Sequence, residues 1–373
     1  MPSQLLDDLN EPQRQAVVHS GTPLLVVAGA GSGKTRVLTR RIAYLMAERN
    51  AAPTEILAIT FTNKAANEMK ERVAHMVGPK ARSMWVSTFH SACVRILRNE
   101  AKRLNLKPSF TIYDTQDSVR MLSLVSKDLG IDPKSYSPKY LLGQISNLKN
   151  ELIDYEDAIS KAVTAQEQTV AQAYGEYQRR LMLASAVDFD DLIGHTVALL
   201  QAFPDVAEHY HRRFRHVLVD EYQDTNHAQY VLIRELVGNG KDGIAPAELC
   251  VVGDADQSIY AFRGANIRNI VEFERDYSDA KTVVLEQNYR STQNILTSAN
   301  SVIEKNSGRP AKRLWTAEGS GEKIVIYTAN DEHHEADFIV TNVADLIDNH
   351  GFDYKDVAVF YRTNNQSRSV EEV

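Results

Sequence analysis

The chain has 373 residues, carries a formal net charge of −7 and is 43% hydrophobic. Its length favours two or three domains, and no apolar run approaches the length of a membrane span. The net charge argues neither for nor against nucleic acid, since a polyanion needs only a local basic or polar track. The N-terminal MPSQLLDDLN is acidic where a secretion signal would be basic, so we expect a cytoplasmic protein. Cys93 and Cys250 lie in apolar contexts and are expected to be buried free thiols.

The first predicted element is a short helix in LNEPQRQAV, residues 9–17. Asn10 is placed to cap this helix, and Gln13, three positions on, is placed to complete a capping box. A side-chain amide also offers both a donor and an acceptor, so Gln13 could instead read the edge of an adenine ring. The residues alone leave both roles open.

The run LLVVAGAGSGKTRV, residues 24–37, predicts a buried strand, a glycine-rich turn and a helix that extends to about residue 49. The turn matches the phosphate-binding pattern G-x-x-x-x-G-K-[ST], except that its first position is alanine. Glycines let backbone N–H groups point at phosphate oxygens, which the positive helix N-terminus also attracts. Lys34 is expected to reach the β- and γ-phosphates, and Thr35 to bind Mg²⁺. The candidate nucleotide-binding residues of this run are Ala28, Gly29, Ala30, Gly31, Ser32, Gly33, Lys34, Thr35 and Arg36.

Two further strand-to-helix junctions follow, in ILAITFTNKAANEM and in MWVSTFHSACVR. Polar residues at the carboxyl ends of strands are where open α/β sheets bind ligands. Phosphate contacts combined with stacked aromatic rings would suit a single nucleic-acid strand. Two capped helices with core phenylalanines would explain the same pattern. The candidate DNA-binding residues of the two junctions are Phe61, Thr62, Asn63, Thr88 and His90.

Between residues 112 and 186 the strand signals nearly vanish and charged helical segments dominate, which predicts an inserted helical subdomain. Lys134, Lys139, Lys149 and Tyr140 are candidates for a DNA-facing surface of this subdomain. A solvated helical face is the more common role for any one lysine.

The segment RHVLVDEYQDTN, residues 215–226, predicts a buried strand that ends in two adjacent acids. Asp220 suits water-mediated coordination of Mg²⁺, and Glu221 suits positioning and deprotonating an attacking water. Consecutive acids at a strand end can also merely begin a helix. The phosphate loop at Lys34 favours the catalytic interpretation.

The segment ELCVVGDADQSIYAFRGA, residues 248–265, predicts another strand followed by a polar and aromatic loop. Gln257 has a neutral amide that could sense the γ-phosphate without forming a fixed ion pair. Tyr260, Phe262 and Arg263 present aromatic and cationic groups that suit base stacking. Anchoring in the hydrophobic core is the competing account of the rings.

The segment TVVLEQNYRST, residues 282–292, begins one more strand-to-helix unit. Tyr289 could stack on adenine and Arg290 could meet the γ-phosphate, whereas Asn288 and Ser291 could simply cap the next helix. The remaining pattern predicts a strand over 323–328, a helix over 332–347 and a strand over 356–361. These elements predict the start of a second parallel sheet.

Taken in order, these segments resemble the motifs of the UvrD/PcrA/Rep family of superfamily 1A DNA helicases. DFDDL at 188–192 and VAVFYRTNNQSR at 357–368 fit the same series. The resemblance implies the α/β fold class, with a P-loop RecA-like parallel-sheet domain, an inserted α-helical subdomain and the start of a second RecA-like domain. The implied division is 1–111 and 187–280 for the first core domain, 112–186 for the insert and 281–373 for the second domain.

The resemblance also implies ATP and Mg²⁺ between the core domains, and 3′→5′ unwinding or translocation on single-stranded and duplex DNA in repair or replication, with protein partners from those processes. Carried over to this sequence, ATP and Mg²⁺ are served by Lys34, Thr35, Asp220, Glu221, Gln257 and Arg290, with Gln13 and Tyr289 at the adenine. DNA is served by Phe61, Asn63, His90, Tyr260 and Phe262. The family commonly has tryptophan in place of Phe262, which implies a weaker base contact here.

The family's motifs V and VI, with a second γ-phosphate arginine, do not occur in this sequence. The resemblance therefore implies about the first half of such an enzyme. We expect the isolated chain to bind ATP and single-stranded DNA but to hydrolyse ATP poorly. Two other classes stay open, namely an ATPase subunit of a helicase–nuclease complex and a non-catalytic DNA-binding module.

Overall fold

The computed structural model describes residues 5–306 and 312–373 of the chain. They belong to two compact units, Met1–Ser320 and Gly321–Val373, and each is described by itself. The α/β class predicted from the sequence is confirmed. Cys93 and Cys250 are buried free thiols, as predicted.

The first unit is built on parallel strands. In chain order they are β1 (Leu24–Ala28), β2 (Ile56–Thr60), β3 (Trp85–Thr88), β4 (Thr111–Ile112), β5 (Ala186–Val187), β6 (His216–Val219), β7 (Glu248–Gly253) and β8 (Lys281–Leu285). Six of them form one sheet in the order β3-β2-β6-β7-β1-β8, and β4 pairs with β5 in a separate two-stranded sheet. The carboxyl ends of β6, β7 and β1 therefore lie side by side at one edge of the sheet.

Helices cover both faces of the large sheet, and four further helices form the insert described below. In chain order they are α1 (Glu11–Val18), α2 (Lys34–Ala47), α3 (Asn63–Val77), α4 (Phe89–Glu100), α5 (Thr115–Asp128), α6 (Pro138–Asn150), α7 (Tyr155–Lys161), α8 (Ala165–Leu183), α9 (Phe189–Ala202), α10 (Pro204–Arg213), α11 (His227–Val237), α12 (Arg268–Val271), α13 (Phe273–Asp276) and α14 (Gln293–Ile303). All five residues of β1 are buried, because a parallel sheet with helices on both faces leaves neither face in water. Leu25 and Val27 pack into the core on one face, and Leu24 and Val26 into the core on the other.

The four helices α5–α8, between β4 and β5, enclose a core of their own that includes Leu122, Leu141 and Tyr177. This agrees with the helical pattern of residues 112–186, although the exact domain division remains a prediction. None of the helices in the described ranges combines the length and the apolar character that a bilayer crossing requires.

The prediction that Lys149 faces DNA is wrong. Its side chain is buried on α6, and its ammonium lies 2.7 Å from Asp188 Oδ2 and 2.7 Å from Asp191 Oδ1, both at the start of α9. Burial alone would lower the pKa of Lys149, but the charges of Asp191 and Asp188 raise it above its ordinary value. Lys134 and Lys139 are exposed, so the solvated-face account fits them. The pattern misled because the acidic partners lie some forty positions away in the chain.

The second unit contains α15 (Glu332–His350) and α16 (Asn364–Glu372), and the first of these confirms the helix predicted over 332–347. The strands predicted over 323–328 and 356–361 are wrong, because neither segment forms a strand and Asp356 ends a short 3-10 helix, Tyr354–Asp356. Ile326 is 90% exposed and Phe360 is 92% exposed. An apolar run forms a strand only where it has a pairing partner and a core to cover. The described part of this unit contains no strand with which either segment could pair.

Candidate nucleotide site and nucleic-acid interface

The phosphate-type loop joins β1 to α2 in the conformation that its glycines allow. Gly31 and Gly33 have positive φ angles of 68° and 90°. Gly33 is the N-cap of α2 and offers no side chain to the first turn, so the first N–H groups of the helix are left for another acceptor. Ser32 closes the loop internally by donating from Oγ to the Gly29 carbonyl at 2.8 Å.

The segment that follows β8 lies directly on this loop. Asn288 donates from Nδ2 to the Ala30 carbonyl at 2.6 Å, and the backbone N–H of Tyr289 donates to the Gly31 carbonyl at 3.0 Å. Asn288 also accepts from the backbone of Arg290 and Ser291, so it closes its own turn. The interpretation that Asn288 and Ser291 cap the next helix is wrong, because the N-cap of α14 is Thr292 and no side chain caps that helix. The guanidinium of Arg290 is exposed and forms no ion pair within the described residues.

Lys34 forms an ion pair with Glu221. The distance from Lys34 Nζ to Glu221 Oε2 is 3.0 Å. Glu221 has a left-handed backbone with φ of 50°, a strained conformation for a residue with a side chain. The neighbouring Asp220 is buried at the end of β6, and burial, followed by the nearby charge of Glu221, raises the pKa of Asp220 to about 6.

A chain of hydrogen bonds continues from this ion pair to Gln257. Gln223 donates from Nε2 to Glu221 Oε2 at 2.9 Å and accepts at Oε1 from the backbone N–H of Asp254, also at 2.9 Å. The amide of Gln257 then donates to Asp254 Oδ2. Sequence reasoning gave Gln223 and Asp254 no role. Their positions, inside DEYQD and directly after β7, were the available signal.

Gln13 performs the capping role that the sequence left open. Its Oε1 accepts from the Asn10 backbone at 3.1 Å, and its Nε2 donates to the Ser32 carbonyl of the loop at 2.9 Å. Asn10 also donates from Nδ2 to the hydroxyl of Tyr289 at 2.8 Å, and the Tyr289 side chain is 44% exposed. A contact of Gln13 or Tyr289 with adenine stays a prediction.

Arg36, a predicted nucleotide-binding residue, pairs with Asp8. Asp8 also receives Arg40 at 3.1 Å, and these two cations hold the pKa of Asp8 below its ordinary value although its burial opposes this. In this structure Arg36 therefore fastens α2 to the segment before α1. A contact between its guanidinium and a phosphate stays a prediction.

A cavity of about 880 Å³ opens beside the carboxyl ends of β2, β3 and β6. We refer to it as the strand-end cavity. Most of the predicted DNA-binding residues line it, namely Phe61, Thr62, Thr88, His90, Tyr260 and Phe262. Asn63 is exposed at the first position of α3 and is not part of the described lining. The side chain of Arg263 lies outside the described part of the structure.

The capped-helix account of the two strand-to-helix junctions is confirmed, whereas contact of these junctions with a nucleic-acid strand stays a prediction. Thr62 accepts from the Ala65 backbone at 3.1 Å and Thr88 from the Ser91 backbone at 3.2 Å, so both threonines cap helices. Phe89 is buried in the core, whereas Phe61 meets it edge to face at 6.1 Å and reaches the cavity. The loop rings of Tyr260 and Phe262 lie 5.9 Å apart. Phe262 is 78% exposed, which contradicts a core anchor for that ring.

The described lining of the strand-end cavity is acidic and contains no lysine or arginine. Its carboxylates are Asp190, Glu221, Asp224 and Asp256. Burial and neighbouring acids raise the pKa of Asp190 and of Asp224 to about 6. Burial lowers the pKa of His90. Such a wall disfavours phosphate groups and accommodates neutral rings with hydrogen-bonding edges.

Sequence reasoning missed one aromatic and one polar wall of this cavity. Phe189, at the start of α9, is 46% exposed and sets its ring edge to face with His90 at 5.5 Å. Gly143, Ser146 and Asn147 bring α6 to the opposite side. Phe189 follows β5 as Phe89 follows β3, so the repeated junction was a usable signal. The α6 residues carry no such signal in the sequence, because their placement depends on how α6 packs against α9.

The glycine loop joins β1 of a parallel sheet to a helix that starts with Lys-Thr, and the paired acids follow a strand two positions away in the sheet. These features define the class of P-loop nucleotide-binding domains. The family model described as UvrD/REP helicase N-terminal domain matches residues 9–278, and the one described as UvrD-like helicase C-terminal domain matches residues 283–373. The chain belongs to the UvrD/Rep helicase family.

Three similar proteins show the range of the resemblance. ATP-dependent DNA helicase UvrD1 of Mycobacterium tuberculosis is 66% identical over 375 residues, which cover 99% of this chain and 49% of that protein. UvrD1 of Mycobacterium leprae is 63% identical over 379 residues, with the same shares of each chain. ATP-dependent DNA helicase PcrA of Staphylococcus aureus is 51% identical over 368 residues, covering 99% of this chain and 50% of that protein. The chain spans about half the length of the curated relatives it matches.

Proposed function

We propose that this chain supplies the ATP site and the single-strand site of an ATP-dependent DNA helicase or translocase that moves 3′→5′ in DNA repair or replication. The observation that carries the proposal is the hydrogen-bonded path from Lys34 through Glu221, Gln223 and Asp254 to Gln257. Gln257 itself lines the strand-end cavity, and Tyr260 and Phe262 follow it in the same loop. A change at the phosphate loop therefore has a continuous route to the aromatic groups that would contact DNA.

ATP fits the loop through the backbone donors of residues 28–35 and the ammonium of Lys34. In this proposal Lys34 exchanges Glu221 for a phosphate oxygen, which frees the Glu221 carboxylate to orient a water as general base. Tyr289 and Arg290 would approach the adenine and the γ-phosphate from the segment that already touches Ala30 and Gly31.

Mg²⁺ fits the donors that are present. Asp220 accepts a single hydrogen bond in the described structure, from the Glu221 backbone to Oδ1 at 3.0 Å, so its second oxygen has capacity for a hydrated cation. The described residues contain no group of three His, Cys, Asp or Glu side chains that could hold a metal alone. Mg²⁺ typically needs only one or two protein ligands beside phosphates and waters, which Asp220 and the Thr35 hydroxyl would provide. The bound ion would neutralise phosphate charge during hydrolysis.

Single-stranded DNA fits the strand-end cavity with its bases inward and its phosphates outward. The acidic lining repels phosphates, whereas Phe61, Phe189 and Tyr260 offer faces for stacking. A stacked base contributes about 1–3 kcal/mol and depends little on its identity. This arrangement suits an enzyme that must accept any sequence.

The test compares the unaltered chain with Lys34→Ala in two binding assays. A fluorescent ATP analogue with Mg²⁺ should bind the unaltered chain and lose at least about tenfold in affinity in the variant, because a charge-assisted phosphate contact is removed. A fluorescein-labelled oligo(dT) should bind both forms in the absence of nucleotide. Equal ATP affinity in the two forms would contradict the nucleotide site. Failure of the unaltered chain to bind the oligonucleotide would contradict the DNA site.

A further inference from the structure

Lys312 is a buried cation to which the proposed function gives no role. Its side chain is only 3% exposed, and its ammonium contacts Asp254 Oδ1 and lies 2.7 Å from Asp256 Oδ2. Burying an ammonium is costly unless its partners compensate for the lost water. The two aspartates supply this compensation for Lys312. The cluster lies beside the phosphate loop, because Asp254 directly follows β7 and β7 pairs with β1.

Asp254 contacts both Lys312 and Gln257, the residue whose amide could sense the γ-phosphate. One carboxylate oxygen accepts from Lys312 and from the Asp256 backbone at 3.0 Å, and the other accepts from Gln257. With both oxygens occupied and the group buried, the orientation of the carboxylate is fixed. Lys312 thus determines where the acceptor of the Gln257 amide lies.

Lys312 also begins a segment that lies on the phosphate loop. We name residues 312–316 the strap. Leu314 packs so closely on Gly29 that a Cβ at that glycine would collide with the leucine side chain. Asn300 fixes Leu314 by donating to its carbonyl at 2.9 Å, and Asn288 donates from its backbone to the Trp315 carbonyl at 2.8 Å. One short segment therefore contacts both the loop and the acceptor of Gln257.

We propose that Lys312 is a positioning residue that links the phosphate loop, through the strap, to the Asp254–Gln257 pair, and so couples nucleotide binding to the DNA-contacting loop at 259–262. This rests on the proposed function and specifies its regulation. A shift of the loop at Gly29 moves Leu314, and Lys312 passes that movement to Asp254. Gln257 then changes its hydrogen bond, and the aromatic loop that follows it moves with it.

The measurement is the ratio of oligo(dT) affinities without and with a non-hydrolysable ATP analogue and Mg²⁺, which gives the coupling between the two sites. In the unaltered chain we expect this ratio to differ from one by about fivefold or more. Lys312→Met should bring the ratio to within about twofold of one while each ligand still binds. Lys312→Arg should keep the coupling, because it retains the charge and the reach. Lys305→Met, on an exposed lysine just after α14, serves as the matched control and should leave the ratio unchanged.

Removal of Lys312 takes a cationic partner from the buried carboxylate of Asp254 and from the partly buried carboxylate of Asp256, so a second variant protects the test against unfolding. Lys312→Met combined with Asp254→Asn removes one charge of each sign and still offers Gln257 an amide oxygen. Thermal unfolding establishes that this variant is folded, and it should bind both ligands without coupling. Coupling at the unaltered level in folded Lys312→Met, or in the folded double variant, would overturn the inference while leaving the proposed function intact. Failure of the unaltered chain to bind either ligand would overturn both.

Discussion

At the scale of single residues, two lysines that look alike in the sequence have opposite environments on one helix. Lys139 is exposed at the start of α6, whereas Lys149, near its end, is buried between Asp188 and Asp191. Tyr177 donates to Asp188 at 3.0 Å, and Gln178 donates to Asp191 at 3.2 Å. The cluster fastens the helical insert to the start of α9, close to Phe189 of the strand-end cavity.

Lys149→Met should lower the free energy of unfolding by about 3 kcal/mol or more, because it leaves two buried carboxylates without their cation. Lys139→Met should change it by less than about 0.5 kcal/mol, as expected for an exposed position. Urea titration followed by circular dichroism measures both values. A loss of less than about 1 kcal/mol in Lys149→Met would contradict the structural role given to this cluster.

If DNA binds in the strand-end cavity as proposed, the raised pKa of Asp190 makes that binding sensitive to acidity. Burial is the main cause of the shift to about 6, with the charge of Asp188 adding to it and a hydrogen bond from Ser146 and the charge of Lys149 opposing it. As the pH falls through 6, Asp190 takes up a proton and the cavity loses negative charge. Asp224, with a pKa also raised to about 6, changes in the same direction.

Oligo(dT) affinity should therefore rise as the pH is lowered from about 8 to about 5. This rise should be larger than the rise measured for Asp190→Asn, in which position 190 is neutral at every pH. Asp190→Asn should bind more tightly than the unaltered chain at the upper pH and show a smaller pH dependence. Fluorescence anisotropy over this range measures both effects. Weaker binding by Asp190→Asn at the upper pH would show that the carboxylate contributes an attractive contact instead.

At the scale of secondary-structure elements, α6 forms one wall of the strand-end cavity at a glycine. A Cβ at Gly143 would meet no heavy atom within 4 Å, and the same is true of Gly194 on α9, which does not line the cavity. Both positions are helical, so both glycines can take a Cβ without backbone strain or collision. Substitutions at Gly143 and Gly194 therefore form a matched pair. Both change helix stability, but only the one at Gly143 also reduces the volume of the strand-end cavity.

Gly143→Leu should weaken oligo(dT) binding by about tenfold, since a side chain of that size displaces the equivalent of one stacked base. Gly194→Leu should leave the affinity unchanged. Both substitutions should raise thermal stability slightly, because leucine favours a helix over glycine by up to about 1 kcal/mol. The cavity would not be the DNA site if both leucine variants bound the oligonucleotide equally well.

The elements also show how far the sequence could predict this structure. The phosphate loop, the strand ends at Asp220 and Asp254 and the cap at Asn10 were predictable because their signals are local and involve residues a few positions apart. The roles of Lys149 and Lys312 were not, since their acidic partners lie 39 and 58 positions away. The strands at 323–328 and 356–361 failed for a related reason, because a strand depends on distant partners as much as on its own pattern.

At the scale of the whole molecule, the residues assigned to ATP all fall within the first unit, Met1–Ser320. Among the described residues, Arg290 is the single arginine that the sequence motifs assign to the γ-phosphate. An arginine of this type typically contributes about 10³ or more to the rate of phosphoryl transfer. Since the family pattern pairs Arg290 with a second arginine, we propose that this chain binds ATP but hydrolyses it slowly.

A steady-state ATPase assay with saturating oligo(dT) should give a turnover at least about a hundredfold below that of a full-length relative such as UvrD1. ATP affinity should remain within about tenfold of that relative. An equal turnover would show that one arginine suffices, or that another cation of this chain takes the second role. Whatever turnover the unaltered chain shows, Arg290→Ala should abolish it.

The register between β1 and β8 has one more consequence. Leu24 through Ala28 pair in parallel with Lys281 through Leu285, so the strand that leads into Tyr289 and Arg290 is hydrogen-bonded along its length to the strand that leads into the phosphate loop. Adenine and triphosphate would thus be received by a single pre-assembled slot. In rapid-mixing experiments, the first phase of nucleotide binding should accordingly have a rate that rises linearly with nucleotide concentration, and it should precede the slower rearrangement that coupling through Lys312 requires.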